Sequence, residues 1–266
     1  MDEAWLVDAA AWAAVAPYRA APGVVVADTG ALRWYRTPIA YEGLNGVLWA
    51  RLDGLDLDAA VAEALAPFRE TGVPMLWHLG PTTSPPSLPR ALEAAGLARH
   101  EDEPGMVADL AAVGPPAVVA AGLEVRPVRD EAGLADWCRV WAGLPPGTEV
   151  GGLVEVRAPK ALGADPPVPH LLGVLDGTPV GCAAVCVGDG RGGRPPAAWV
   201  EDVVTAAAVR RRGIGARVTW ACLDLARAQG VDRAALTASP DGHRIYRRLG
   251  FRECCRVVRY RYPPAD

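Results

Sequence analysis

Chemistry concentrates in one stretch, Ala198 to Ala216, which reads AWVEDVVTAAAVRRRGIGA. An apolar strand runs into a short turn and then into the first residues of an amphipathic helix. The turn holds Gly213 and Gly215, so its backbone N–H groups stand unobstructed at the positive end of the helix that follows. Arg210, Arg211 and Arg212 add charge beside them. Such an arrangement suits a pyrophosphate, and it equally suits a solvated charge run next to a capped turn. Inside the strand sit two adjacent carboxylates, Glu201 and Asp202. A charge in an apolar strand is costly without a partner, so at least one of the two has a purpose.

Alternation along a strand sends consecutive side chains to opposite faces, which puts Glu201 with Trp199 and Val203 and turns Asp202 away. Two readings of Glu201 stand open. It takes a proton from an incoming nucleophile, directly or through water, or it forms an ion pair with an arginine such as Arg210. His170, at the head of an earlier strand, is a weaker base candidate and reads as an exposed loop histidine.

The elements around this stretch follow from periodicity. Downstream of Leu123 the pattern is a strand, a helix Glu131 to Trp141, then strands at His170 to Leu175, Val180 to Val187 and Ala198 to Thr205. The turn Asp189 to Gly193 reads as the hairpin connection between the last two. A helix Ile214 to Gln229 follows, with Ile214, Val218, Ala221 and Leu225 as its apolar stripe, and Gly230 ends it. Strand Ala234 to Thr237, helix Pro240 to Leu249 and strand Glu253 to Tyr260 complete this half. Ser239 and Pro240 form an N-cap and first-turn pair.

The upstream half reads as strand Gly46 to Leu52, helix Ala59 to Thr71, strand Val73 to Leu79, helix Leu88 to Ala95 and strand Gly105 to Leu110. The uncharged, proline-bearing segment Ala111 to Gly122 separates the halves and predicts domains at 1–115 and 116–266. Each half closes on strand, helix and strand, LWHLG then LEAAGL against ALTAS then YRRLGF, as a diverged repeat would.

Composition bounds the rest. With 51% hydrophobic and 22% charged residues the chain builds a core, and no apolar run reaches the roughly 20 residues of a membrane span. A net charge of −4 argues against a nucleic-acid partner. Met1 to Pro17 carries Asp2, Glu3 and Asp8 without a basic residue, the reverse of a secretion signal, and a cytoplasmic location is expected. The six cysteines show neither paired CxxC spacing nor a histidine at metal-ligand distance, so buried thiols and no metal are expected.

The turn Arg210-x-x-Gly213-x-Gly215 resembles the R/Q-x-x-G-x-G/A signature of the GNAT acetyltransferase superfamily, in its strand-turn-helix setting. Tyr246-Arg247-Arg248-Leu249-Gly250-Phe251, about 35 residues on, resembles that family's tyrosine helix followed by Leu-Gly-Phe. Together the two pieces span Ala198 to Tyr260. The resemblance implies an α+β fold, a mixed central sheet flanked by helices, in the C-terminal domain, with a smaller related α/β domain before it, as in tandem GNAT proteins with a degenerate first half.

The resemblance further implies acetyl-CoA as co-substrate. Backbone groups of Val203, Val204 and Thr205 would hold the pantetheine arm. The turn Arg210, Arg211, Arg212, Gly213, Ile214, Gly215 and Ala216 would hold the pyrophosphate, and Tyr246 would protonate the departing thiolate. Two departures matter: Ser239-Pro240 replaces the usual Asn near the tyrosine helix, leaving Ser239 as the residue at that coenzyme A contact, and Ala206-Ala207 replaces a frequent Asp-Pro.

The N-terminal half lacks the glycine turn. Its Trp34, Tyr35, Tyr41, Asn45, Trp49, Trp77 and His78 divide between core and the wall of an acceptor pocket where the halves meet. The expected activity is acetyl or short-acyl transfer from acyl-CoA to an amine or hydroxyl of a small molecule, in a monomer or homodimer. The competing expectation is a non-catalytic acyl-CoA-binding sensor.

Overall fold

The computed structural model describes residues 3–188, 190 and 195–263. Eleven strands form one mixed sheet in the order β1-β2-β3-β4-β11-β5-β10-β9-β8-β7-β6. In the upstream half these are β1 (Val25–Asp28), β2 (Leu32–Arg36), β3 (Gly46–Ala50), β4 (Met75–Leu79) and β5 (Ala98–Asp109). The helices are α1 (Trp5–Val15), α2 (Leu57–Thr71) and α3 (Leu88–Ala94). Downstream come β6 (Leu123–Pro127), α4 (Glu131–Ala142), α5 (Gly151–Ala161), β7 (His170–Leu175), β8 (Thr178–Val187) and β9 (Ala198–Thr205). Then follow α6 (Ile214–Ala228), β10 (Arg233–Thr237), α7 (Pro240–Leu249) and β11 (Arg252–Tyr262).

Local chemistry explains most boundaries. Asp56 accepts the N–H groups of Asp58 and Ala59 at the start of α2, Asp130 accepts that of Gly133 at α4, and Ser239 that of Gly242 at α7. Gly72, Gly143 and Gly250 close the same three helices in the left-handed region. The apolar stripe of α6 is one turn-face over from the one that periodicity predicts. Ile214, Val218, Cys222 and Ala226 are buried together with Gly215, Thr219 and Leu223, whereas Ala221 and Leu225 are only partly covered. The expected hairpin turn Asp189 to Gly193 lies, Gly190 apart, outside the described residues, although β8 and β9 on either side of it pair antiparallel.

Three elements have no counterpart in the sequence reading: α1, the β1–β2 hairpin, and α5. Leu6, Val7, Ala10 and Ala14 of α1 join Trp137, Cys138, Val140 and Ala161 in a core beneath one face of the sheet. On the opposite side α6 and α7 enclose a second core with Met106, Ala198, Val200 and Tyr246, and α2 and α3 enclose a third with Val47, Met75 and Trp77.

The order of the central strands departs from two halves set side by side. β11 lies between β4 and β5, and β5 lies between β11 and β10, so each half lends a strand to the other. Residues 1–115 expressed alone therefore leave β4 and β5 without the strand that joins them, each exposing an unpaired edge. That fragment is expected to show no cooperative thermal transition; a sharp one by calorimetry would mean that the upstream half completes its sheet without β11.

Candidate active site

Strands β9 and β10 are parallel, and they pair only at Ala198 with Ala234 and Trp199 with Ala235. Beyond that point they diverge. On the β8 side β9 stays paired as far as Thr205, opposite Gly181. The other edge of Val200 to Thr205 faces no strand among the described residues, so its backbone groups are open to a ligand lying in the wedge.

The wedge leads to the glycine turn. Gly213 caps α6 with φ +78°, and a Cβ there would fall 2.0 Å from the carbonyl oxygen of Val118, so glycine is required twice over. Arg211, at φ +65°, also occupies the left-handed region. A Cβ on Gly215 would instead touch Thr205 Oγ1 at 3.3 Å and Ile245 Cδ1 at 3.5 Å, placing this glycine where the end of β9, the start of α6 and α7 converge. The start of α6 is seated close to the sheet because Gly181 has no side chain: a Cβ there would meet Ile214 Cγ2 at 2.6 Å. These residues fit a phosphate-bearing ligand through open amides and a helix N-terminus rather than through arginine contacts made in advance. Arg210 itself reaches Thr205 O at 3.4 Å and Asp241 at 3.7 Å on the surface.

Tyr246 lies on α7 with its ring edge-on to Phe251 at 5.9 Å and its Cε2 2.8 Å from where a Cβ of residue 242 would stand, a space that Gly242 leaves free. Its hydroxyl has no hydrogen-bond partner among the described residues. Burial pushes the phenol above its ordinary pKa, and the charge of Glu103 pushes it further, so the group stays protonated at neutral pH. Ser239 Oγ accepts the N–H of Gly242 in capping α7, which leaves its O–H free to donate.

The two carboxylates overturn the alternation argument. On β9 the four residues from Glu201 to Val204 lie opposite the three from Ala184 to Cys182 on β8, and Asp202 takes φ +57°. This is a β-bulge, and it turns Asp202 to the same face as Glu201 while sending Val203 to the opposite one. Glu201 thus shares its face with Trp199 but not with Val203, which packs with the α6 core.

Both carboxylates meet α5. Lys160 Nζ lies 2.7 Å from Glu201 Oε1, and Arg157 Nη1 lies 2.9 Å from Asp202 Oδ2. Trp141 Nε1 donates to Asp202 Oδ1 at 2.9 Å. The Arg157 guanidinium is held between the rings of Trp137 and Trp141, at 4.6 and 4.4 Å, with its Nε and Nη2 buried and without a hydrogen-bond partner among the described residues; Lys160 sits 4.1 Å above the ring of Tyr18. Glu201 is an ion-pair partner, but of Lys160 and not of Arg210. Burial raises the pKa of Glu201 against the opposing charge of Lys160. For Asp202 burial acts in the same direction, but Arg157 and Lys160 outweigh it and hold the group below the usual carboxylate value.

His170 is neither exposed nor in a loop. It is fully buried, its Nδ1 2.6 Å from Val168 O and its ring 4.6 Å from that of Trp137. Burial and the charges of Lys160 and Arg157 keep it neutral, and its Nε2 has no hydrogen-bond partner among the described residues.

The aromatic residues of the upstream half divide sharply. Trp34 packs on Phe68, Trp77 is fully buried, and Asn45 ties down its own loop through Thr37 N, Ile39 O and Tyr41 O. Trp49 donates to Thr82, and His78 lies beside Arg259. Tyr35 is buried, donating to Gly43 O. Tyr41 alone of the seven is exposed next to the carboxylates, edge-on to Trp141 at 5.4 Å. A cavity of about 1220 Å³ opens instead between α1 and the end of β8, and none of Glu201, Asp202 or Tyr246 lines it.

A family model described as the Acetyltransferase (GNAT) family matches residues 144–251, which hold the β9 wedge, the glycine turn and Tyr246. This segment is a GNAT-family domain. Over its whole length the chain is similar to a GCN5-related N-acetyltransferase from Kribbella flavida, with a TM-score of 0.68 at 22% identity, covering 100% of this chain and 97% of that one. A tandem GNAT protein from the clavulanic acid biosynthesis pathway aligns over 93% of this chain and 86% of its own, with a TM-score of 0.60 at 18% identity. A GNAT-family structure from Novosphingobium aromaticivorans gives 0.55 at 18% identity over 91% and 92% of the two chains. No match is found among curated proteins. The fold is therefore GNAT-like with the two-part arrangement of tandem GNAT structures, and no described helix is long and apolar enough to cross a membrane.

Proposed function

We propose that this protein moves an acetyl or short acyl group from acyl-CoA to an amine or hydroxyl of a small molecule by direct attack on the thioester. The observation that carries this reading is the open edge of β9 leading into the glycine turn and the N-terminus of α6, all within the GNAT-family segment. Residues 116–266 form the catalytic unit and 1–115 its degenerate partner, with Tyr41 placed at the acceptor side. In the reaction the nucleophile's nitrogen or oxygen bonds to the carbonyl carbon and the carbon–sulfur bond breaks. Glu201 accepts the nucleophile's proton and Tyr246 gives one to the thiolate. Amides of Val203 to Thr205 and of Arg211 to Ala216 hold the co-substrate.

Release of free thiol from acetyl-CoA across a panel of amines and alcohols tests the proposal, and turnover with any of them supports it. The engagement of Glu201 by Lys160 favours a second reading, a non-catalytic acyl-CoA sensor. Saturable acetyl-CoA binding with no turnover on any acceptor would select it.

Gly215→Leu probes the co-substrate site without the backbone strain that any change at Gly213 brings. The new side chain enters the space beside Thr205 and Ile245. The acetyl-CoA KM is expected to rise by about 100-fold, the loss of roughly 3 kcal/mol from displaced phosphate contacts. An unchanged KM would move the pyrophosphate elsewhere.

A further inference from the structure

Adjacent carboxylates on one face of a strand would ordinarily repel each other and compete for one proton. Here α5 supplies two different cations, three residues apart, and presents one to each. The two settings are unequal. Asp202 receives Arg157 on one oxygen and the Trp141 indole on the other, so each of its oxygens holds a rigid planar donor, and it also carries the bulge at φ +57°. Glu201 receives a single donor, Lys160 Nζ, on Oε1, and no side chain on Oε2 among the described residues. About a fifth of the Glu201 side chain remains open to solvent, while that of Lys160 is closed off to 1%.

Resting on the acyl-transfer reading above, we propose that Lys160 is a positioning residue: it fixes Oε1 of Glu201 so that Oε2 is presented to the acceptor, while Arg157 and Trp141 withdraw Asp202 from proton transfer. Lys160 does not touch the reacting atoms. It acts by keeping Glu201 ionised in a buried place, where the carboxyl would otherwise take up a proton. The other titratable or charged groups near Glu201 are Arg157 of α5, Asp202 of its own strand, Tyr18 in the 3-10 turn Ala16–Ala20, Tyr35 of β2 and Cys222 of α6. Of these only Arg157 opposes protonation, as Lys160 does. A base works when deprotonated, so activity rises as pH climbs through the Glu201 pKa. Removing the Lys160 charge must move that rise to higher pH.

The test uses the full chain and two independent readouts. The first is pH-difference infrared spectroscopy of the protonated carboxyl stretch, assigned to Glu201 by its loss in Glu201→Gln; it needs no acceptor. The second is the acidic limb of kcat/KM with acetyl-CoA and the best amine. In Lys160→Met both midpoints are expected to shift up by about one unit or more, a roughly tenfold loss of kcat/KM at pH below the limb, and the plateau is expected to fall as well because Oε2 is no longer held toward the acceptor. Lys160→Gln, which retains a donor without the charge, should give the same shift should the methionine variant misfold. Lys160→Arg should restore the wild-type midpoint.

A Glu201 band that titrates at the wild-type pH in both neutral variants overturns the inference. A kcat/KM limb that survives Glu201→Gln overturns the choice of Glu201 as base, and with it the presentation of Oε2, even where the infrared midpoint moves.

Discussion

Tyr246→Phe is expected to leave the fold intact and to lower kcat by about 100-fold, the typical share of a general acid. The hydroxyl has no hydrogen-bond partner to lose among the described residues, and the ring keeps its contact with Phe251 and its place against Gly242. Thermal stability should therefore match the wild type to within the error of a calorimetric scan. Burial and the charge of Glu103 raise the phenol's pKa, so in the wild type no loss of the acid through ionisation is expected across the neutral range. Because the proton is needed only as the thiolate departs, the acetyl-CoA KM should hold while kcat falls. A kcat within about twofold of wild type would leave Tyr246 as a packing residue, with solvent or the acceptor supplying the proton.

The second large effect is one of stability. Arg157→Leu removes the guanidinium from between Trp137 and Trp141 and leaves Asp202 in a mostly covered site facing only Trp141 and the more distant Lys160. Breaking one side of a buried ion pair typically costs about 3–5 kcal/mol. The loss should appear as a lower denaturation midpoint in guanidinium at neutral pH. It should also depend on pH in a definite sense. In the wild type Asp202 has a depressed pKa, so its contribution is present above the unfolded value, about 3.9, and fades as pH falls through the lower folded value. In the variant the stranded carboxyl gains a proton readily, so acid relieves it. The gap between the two proteins is expected to close on acidification; a gap that stays constant in acid would show that Arg157 stabilises through ring packing alone. Arg157→Leu/Asp202→Leu should recover much of the loss, since no buried charge is left over.

Much of this site is written locally. The strand Ala198–Thr205, the turn with Gly213 and Gly215, the cap at Ser239 and the helix of Tyr246 all follow from short-range rules of burial period, backbone freedom and capping, and they stand where those rules put them. What escapes is what long-range packing decides. The helix Gly151–Ala161 opens on two glycines and holds Pro159 in its last turn, so its intrinsic preference is poor. It exists because Val156, Arg157, Lys160 and Ala161 are buried against the sheet, and without it neither cation can be seen to face a carboxylate. The spacing of Arg157 and Lys160, with Trp137 and Trp141 four apart on α4, is the signal that a helical reading of 151–161 would have exposed. The bulge is a second such case. Nothing in EDVV marks Asp202 for a left-handed backbone, and a single inserted residue reversed the facing assigned to Val203. His170 looked exposed because a polar residue at a strand's head usually is; α4 covers it with Trp137.

The exchanged central strands have a consequence for the time course of folding. Gly105 on β5 pairs with Cys255 on β11, positions 150 residues apart in sequence. A ribosome adding about 5–20 residues each second therefore leaves β5 waiting many seconds for its partner. During that interval Met106, Val107 and Ala108, later among the most buried residues, lie on a strand with an unsatisfied edge. Sheet closure across so long a loop is a slow, late step, and both halves reach their final arrangement together rather than in turn. The open edge of β9 and the carboxylate pair near Tyr41 are thus completed in the same event.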